Sequence, residues 1–414
     1  SSGTLGGTGA VTVTGAFNVT GAATLSGTGT FTTQGVSLVS MAGVTNQLLV
    51  SGGKQWINQN VLTLGSDDFI TLSSNGTTLT NAVGATFNVS STFGTPLNFG
   101  GGTVTLNNAG TLNQTAAGAH TISGGIIFNN TGTVNIDAGT LTIGGSGTDS
   151  GIYTVAEGSA INFSGGTRNL NAGTNVTGLG SLSVSGATVN ANNLFDIAAT
   201  GSGLTVSGGT LNIGANVISG QLVAVTISGG TLNLNTANPV TLPSLTMSSG
   251  TLGGTGAVTV TGAFNVTGFN ATLAGTGNFT TQGTSTINVA NTTTSFILVG
   301  GRTWNNEGVL TIGGDERILF GFTTGGSNAL INAVGATLNM SSTAAEPIGL
   351  FTGTATLNNF GTLNQTVTGT HAISGSIGFI NQATGTVNVN AGTLSYANSL
   401  TNQGTLSVAP GARM

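Results

Sequence analysis

The sequence predicts an all-β fold, a parallel β-solenoid (β-helix) of about 20 coils with roughly 20 residues per coil. Three observations predict it. Residues 1 to 21, SSGTLGGTGAVTVTGAFNVTG, return letter for letter as residues 248 to 268. Beneath this long copy runs a short one: SGGTLN at Ser207, SGGTLN at Ser228 and SSGTLG at Ser248 are spaced by 21 and then 20 residues. Finally, no stretch carries apolar residues at helical spacing over three turns, whereas short runs alternate apolar with hydroxyl or amide residues.

The strands come first in that argument. Val11-Thr12-Val13-Thr14, Phe17-Asn18-Val19-Thr20 and Leu141-Thr142-Ile143 each have the period of two that buries one face. Gly-Gly, Ser-Gly and Asn-Gly pairs punctuate them as turns. Strands this short gain little as isolated hairpins, so stacking each coil on the one before is the stable solution. Val, Leu, Ile and the 18 Phe then fill the interior, and inward Asn at the corners are expected to form ladders from coil to coil.

The long repeat sets the domain organisation. Trp56 in GGKQW pairs with Trp304 in GGRTW, NAVGATFNVSST from Asn81 pairs with NAVGATLNMSST from Asn332, and TVAEG from Thr154 pairs with SVAPG from Ser407. Residues 1–247 are therefore read as a first copy and residues 248–414 as a partial second copy continuous with it. Both ends fall inside the repeat pattern, which predicts further coils on at least one side.

Composition excludes several functions. Charged residues are 4% of the 414, against about a quarter in ordinary domains, which leaves little material for acid–base chemistry. The formal charge of −5 arises from 10 acidic and 5 basic residues, so the clustered Lys and Arg that bind nucleic acid are missing. There is no cysteine, hence no disulfide and no thiolate metal site. Every apolar run is broken by Gly, Thr, Asn or Ser well short of a membrane span, and no basic segment followed by an apolar one opens the chain as a signal peptide would.

The phrases SGTLGGTGAVTVTGAFNVTG, LNNAGTLNQT, NTGTVNIDAGTLTIGG and YTVAEGSAINFSGGT resemble the β-strand-repeat surface proteins of bacteria, a group overlapping autotransporter passengers and filamentous-haemagglutinin-like adhesins. The resemblance implies export, an extracellular or cell-surface location, and a solenoid stalk or fibre that is structural or adhesive. It supplies no catalytic residues, cofactor or metal ligands to carry over.

Candidate sites are few. Lys54, Trp56, Asp67 and Asp68 in the first copy, with Arg302, Trp304, Asp315 and Glu316 in the second, form the most charged region of each and are the candidate interaction region, facing a neighbouring fibre, a glycan or a cation. For the two Trp, filling of the solenoid interior is the competing reading. His120 and His371 are one repeat position seen twice, expected at a surface or corner. Residues 144 to 152, GGSGTDSGI, approximate a calcium-binding nonapeptide around Asp149, but the match is solitary and Gly151 stands where a large apolar residue belongs. Asn18-Val-Thr20, Asn88-Val-Ser90 and Asn175-Val-Thr177 permit glycosylation without demonstrating it.

Three function classes follow. A non-catalytic structural or adhesive fibre segment, self-associating end to end or laterally, is the leading expectation. A polysaccharide-binding or -cleaving β-helix is the second; its carboxylates would be Asp137, Glu157 and Asp196 with Arg168, but the first two become Asn390 and Pro410 in the second copy. Ice binding through Thr-X-Thr faces such as Thr12-Val-Thr14 is the third, and an unbroken threonine ladder at the coil spacing is not expected.

Overall fold

The computed structural model describes residues 2–41, 45–192, 203–214, 224–289, 295–322 and 324–414. Within them every regular element is a β-strand of two to six residues, 53 in all, and neighbouring strands pair in parallel. Two compact units are present, one of Ser1–Thr205 with Gly209–Ser219 and one of Val206–Gly208 with Gly220–Met414. The division therefore falls before residue 248, where the long repeat restarts.

In the first unit the chain visits three faces in turn. Gly3–Leu5 lies on the first, Val11–Val13 on the second and Phe17–Val19 on the third; Ala23–Leu25 then returns to pair with Gly3–Leu5. The third face is a sheet of eight strands from Phe17–Val19 to Asn175–Gly178. In the second unit Leu245–Met247, Thr251–Gly253 and Val258–Val260 follow the same path, and the third face again has eight strands, from Val240–Leu242 to Thr401–Asn402.

The alternation in the sequence decides what is buried. Thr86–Val89, Thr111–Gln114 and Thr133–Ile136 sit in register, with Phe87, Leu112 and Val134 inside and Asn88, Asn113 and Asn135 outside. A slip of one residue would exchange the two sets, so burial locks the register.

Coil length is less uniform than the 20-residue spacing predicts. Registered neighbours lie 18 residues apart at Val240 and Val258 but 30 apart at Ile318 and Ile348, and a turn takes ~22 residues. The extra residues go into corners and irregularities, such as the shift after Leu72 where Ser73 pairs with Gly101. Strand registers, fixed by inward side chains, are kept.

One corner requires glycine. Gly27 has φ +84°, and a Cβ there would stand 2.4 Å from the Gly7 carbonyl oxygen one coil earlier. At the matching place in the second unit Gly275 has φ +90°, with the Gly254 oxygen 2.1 Å from such a Cβ. Both left-handed backbone and close approach exclude a side chain.

Candidate functional site

The charged region of each copy faces the opposite way from an interaction surface. Lys54, Trp56 and Asn58 alternate with Gln55 and Ile57, so all three point inward; they are 3%, 0% and 0% exposed. Arg302, Trp304 and Asn306 repeat the arrangement, each fully buried. Asp68 and Glu316 are also buried, while Asp67 and Asp315 are half-buried. The structure thus brings Lys54, Trp56 and Asn58, and their counterparts, onto one inward row, and leaves only Asp67 and Asp315 of the eight residues partly open to solvent.

Each Trp fills the interior. Trp56 meets Phe17 and Phe31 edge to face at 5.9 and 6.1 Å. Trp304 meets Phe264, Phe279 and Phe296 at 5.7, 5.9 and 5.6 Å. The indole N–H groups donate to Thr33 Oγ1 at 3.3 Å and Thr281 Oγ1 at 3.0 Å, as a buried indole requires.

The two inward cations reach back two coils. Lys54 Nζ donates to the Gly7 carbonyl at 3.3 Å, and Arg302 Nη1 donates to the Gly254 carbonyl at 3.2 Å. Burial pushes the Arg302 guanidinium down to about 10, because the charged form is poorly solvated inside the coil. Asp68 serves the backbone instead. Its carboxylate accepts the N–H groups of Met41 and Asn46. Asp67 accepts the Thr45 hydroxyl at 2.6 Å.

Beyond each Trp runs the inner amide ladder. Asn58 donates to Asn81, Asn81 to Asn108 and Asn108 to Asn130, at 2.9, 2.8 and 2.9 Å. The second proton of each amide goes to a carbonyl, such as Thr86 O, Thr111 O and Thr133 O. With both protons committed, the amide orientation is fixed and every donor points toward the later coil. Asn306, Asn332, Asn359, Asn381 and Asn402 form the same ladder at 2.7–2.8 Å.

The first ladder ends at Asn130, whose side-chain amide donates to the Ile152 carbonyl at 3.3 Å, and a buried carboxylate stands in the next coil. Asp149 occupies the coil after Asn130 and accepts the Asn130 backbone N–H at 3.2 Å. Arg168 donates to it from Nε at 3.1 Å and from Nη2 at 2.6 Å, and the Tyr153 hydroxyl donates at 2.8 Å. The guanidinium also reaches the carbonyls of Gly145 and Phe128 and lies 5.4 and 5.5 Å from the Phe128 and Phe163 ring centres. Burial raises the Tyr153 hydroxyl well above the usual tyrosine value, aided by the Asp149 charge. For Arg168, burial opposes the charge, but Tyr153 and Asp149 outweigh it and leave the group above its ordinary value. The Asp149 oxygens are therefore used by Arg168 and Tyr153, which removes them from the calcium shell that GGSGTDSGI resembled.

Both histidines are buried on strands, His120 in Ala119–Ile122 and His371 in Thr370–Ile373, rather than at the surface or corner that the sequence suggested. His120 sets Nδ1 3.0 Å from Phe93 O and Nε2 2.9 Å from Ala117 O; His371 sets them 2.7 Å from Ala344 O and 2.9 Å from Thr368 O. A neutral ring donates to one of the two carbonyls, the doubly protonated ring to both.

Outside, the faces carry a second set of ladders that sequence reading missed. Asn135 donates to Asn113 and Asn113 to Asn88, each at 2.9 Å, and Asn388, Asn364 and Asn339 repeat this at 3.0 Å. Threonines stand beside them in register, Thr86 with Thr111 and Thr133, Thr337 with Thr362 and Thr386. The signal was the recurring triplet Thr-X-Asn with apolar X at one strand position. A threonine column also runs through Thr337, Thr362, Thr386 and Thr405, whereas the one that starts at Thr12 and Thr32 is broken by Ile57 in the next coil.

The residues of the catalytic alternative sit in different surroundings. Asp137 and Glu157 are exposed, Arg168 is buried in its ion pair, and Asp196 lies outside the described residues. Among the described residues no three of His, Asp and Glu gather as metal ligands, and no helix is long and apolar enough to cross a membrane. In comparisons with known proteins, no family model, no curated protein and no solved structure matches the chain.

Proposed function

We propose that the chain is a segment of a non-catalytic, extracellular structural or adhesive protein, a β-solenoid stalk or fibre that works through its outer faces. The observation that carries this reading is the duplicated Thr-X-Asn array, on Thr86–Val89, Thr111–Gln114 and Thr133–Ile136 and again on Thr337–Met340, Thr362–Gln365 and Thr386–Val389. Such an array offers hydroxyls and amides at strand spacing, about 4.8 Å between coils, with no charge on either set of strands. A surface of that kind associates laterally with its like, or with the hydroxyls of a surface glycan, without ionic repulsion to overcome.

The interior supports the same reading. Its chemistry is spent on holding coils together: amides on amides, Asp149 on Arg168, Asp68 on backbone. The resemblance to bacterial surface repeats points the same way and brings the expectation of a cell-surface location. Attachment end to end would proceed by strand addition.

The test is lateral association measured by sedimentation velocity at low and high salt. Self-association that persists in high salt and is abolished by Asn113→Lys with Asn364→Lys supports the proposal. A chain that stays monomeric at all concentrations, or one that releases sugars from a polysaccharide, overturns it.

A further inference from the structure

We propose that the Arg302 corner of the second unit holds a small inorganic anion of the chloride class inside the coil. Arg302 is fully buried, and only Nη1 has an acceptor of this chain, the Gly254 carbonyl. Nε and Nη2 are buried without one. Asn328, whose Oδ1 accepts the backbone N–H groups of Gly301 and Arg302, adds a buried Nδ2 that also lacks an acceptor. Among the described residues the ion pair is Asp149 with Arg168, so no carboxylate neutralises Arg302.

The contrast with Arg168 gives the measure of what is missing. That guanidinium, equally buried, has a carboxylate, two carbonyls and two aromatic faces around it. A buried charge without such compensation is strongly destabilising. The first copy supplies a second contrast. There the corner carries Lys54 and Thr77, and Thr77 Oγ1 accepts the Gly53 N–H as Asn328 Oδ1 accepts that of Gly301. Replacing Lys by Arg and Thr by Asn at the two matching positions adds donors and no acceptor. The surplus is thus particular to the second copy and asks for an acceptor that carries negative charge. Full enclosure of the side chain restricts that acceptor to a small ion, since a larger oxyanion would need an opening.

The experiment is thermal unfolding of the whole chain between low and high chloride, with ionic strength held constant by gluconate. Binding to the folded state raises Tm with chloride by about 2–4 °C, bromide does the same, and Asn328→Thr or Arg302→Lys flattens the dependence. Crystals grown in bromide show an anomalous peak within hydrogen-bond distance of Arg302 Nε and Nη2. A Tm independent of halide in the unsubstituted chain overturns the proposal, as does a bromide crystal without that peak. Asn328→Thr restores the residue of the first copy, so it keeps the test informative if Arg302 variants fold poorly.

Discussion

The two inner amide ladders are built alike for four rungs and end differently. In the first unit Asn58, Asn81, Asn108 and Asn130 lead to Asp149; in the second Asn306, Asn332, Asn359 and Asn381 lead to Asn402. The Asn130 side-chain amide donates to the Ile152 carbonyl at 3.3 Å, and it is the Asn130 backbone N–H that Asp149 accepts. A carboxylate accepts more strongly than an amide, but once buried it needs a cation, and Arg168 with Tyr153 provides the partners. Asn402 keeps the amide at the matching place, accepts from Asn381 and donates to Gly404 O at 3.2 Å. The difference teaches that a buried carboxylate next to an amide row requires a cation of its own, whereas an amide at the same place requires none.

The largest effect expected from breaking this comparison is Asp149→Asn, which installs the residue of the second unit while Arg168 stays. It leaves a buried cation unpaired and should cost about 3–5 kcal/mol in urea unfolding, with hydrogen exchange accelerating around Ile126–Asn130. Adding Arg168→Met should recover most of the loss. If the single substitution proves neutral, the Asp149–Arg168 pair does not hold this part of the unit together.

A smaller effect, of about 3 kcal/mol, belongs to Arg302. Its folded-state value of about 10 lies below that of an ordinary arginine. Between those two values the unfolded chain binds more protons than the folded one, so stability rises with pH in that window. Below about 10 the cost of burial is fully present. The rise should be seen in chloride-free denaturation curves and vanish in Arg302→Met; a flat profile in the unsubstituted chain would contradict the burial of an uncompensated charge.

Next come the ladder interiors. Asn108→Ala and Asn359→Ala each strand a donor and an acceptor on neighbouring rungs and should cost about 1–3 kcal/mol, equally in the two units. An unequal cost would show that the closing residue acts on the whole ladder rather than on its last rung.

Much of this was legible in the residues. Strand alternation gave the inward row and the coil, and inward Asn at the corners gave the ladders, because the same residue types recur at the same place in the coil. What sequence reading missed has a common cause. Lys54, Arg302 and Glu316 carry charges, and charge ordinarily marks a solvated surface; yet counting by twos from Trp56 and Trp304 places Lys54 and Arg302 inward. Asp149 was read within its own nonapeptide. Its partner role depends on a register in which Asn130 meets Asp149 after 19 residues and Asn81 meets Asn108 after 27, and such unequal steps are not visible in a 20-residue rhythm. The outer ladders were masked by the abundance of Thr and Asn, where only the triplet order carries information.

The claim on which the functional account rests is that the outer Thr-X-Asn faces act as uncharged association surfaces. Sedimentation velocity of the chain and of Asn113→Lys/Asn364→Lys at low and high salt tests it most directly. The account predicts salt-insensitive association in the former and monomers in the latter, whereas association that is unchanged by the two lysines, or absent from the start, would contradict it.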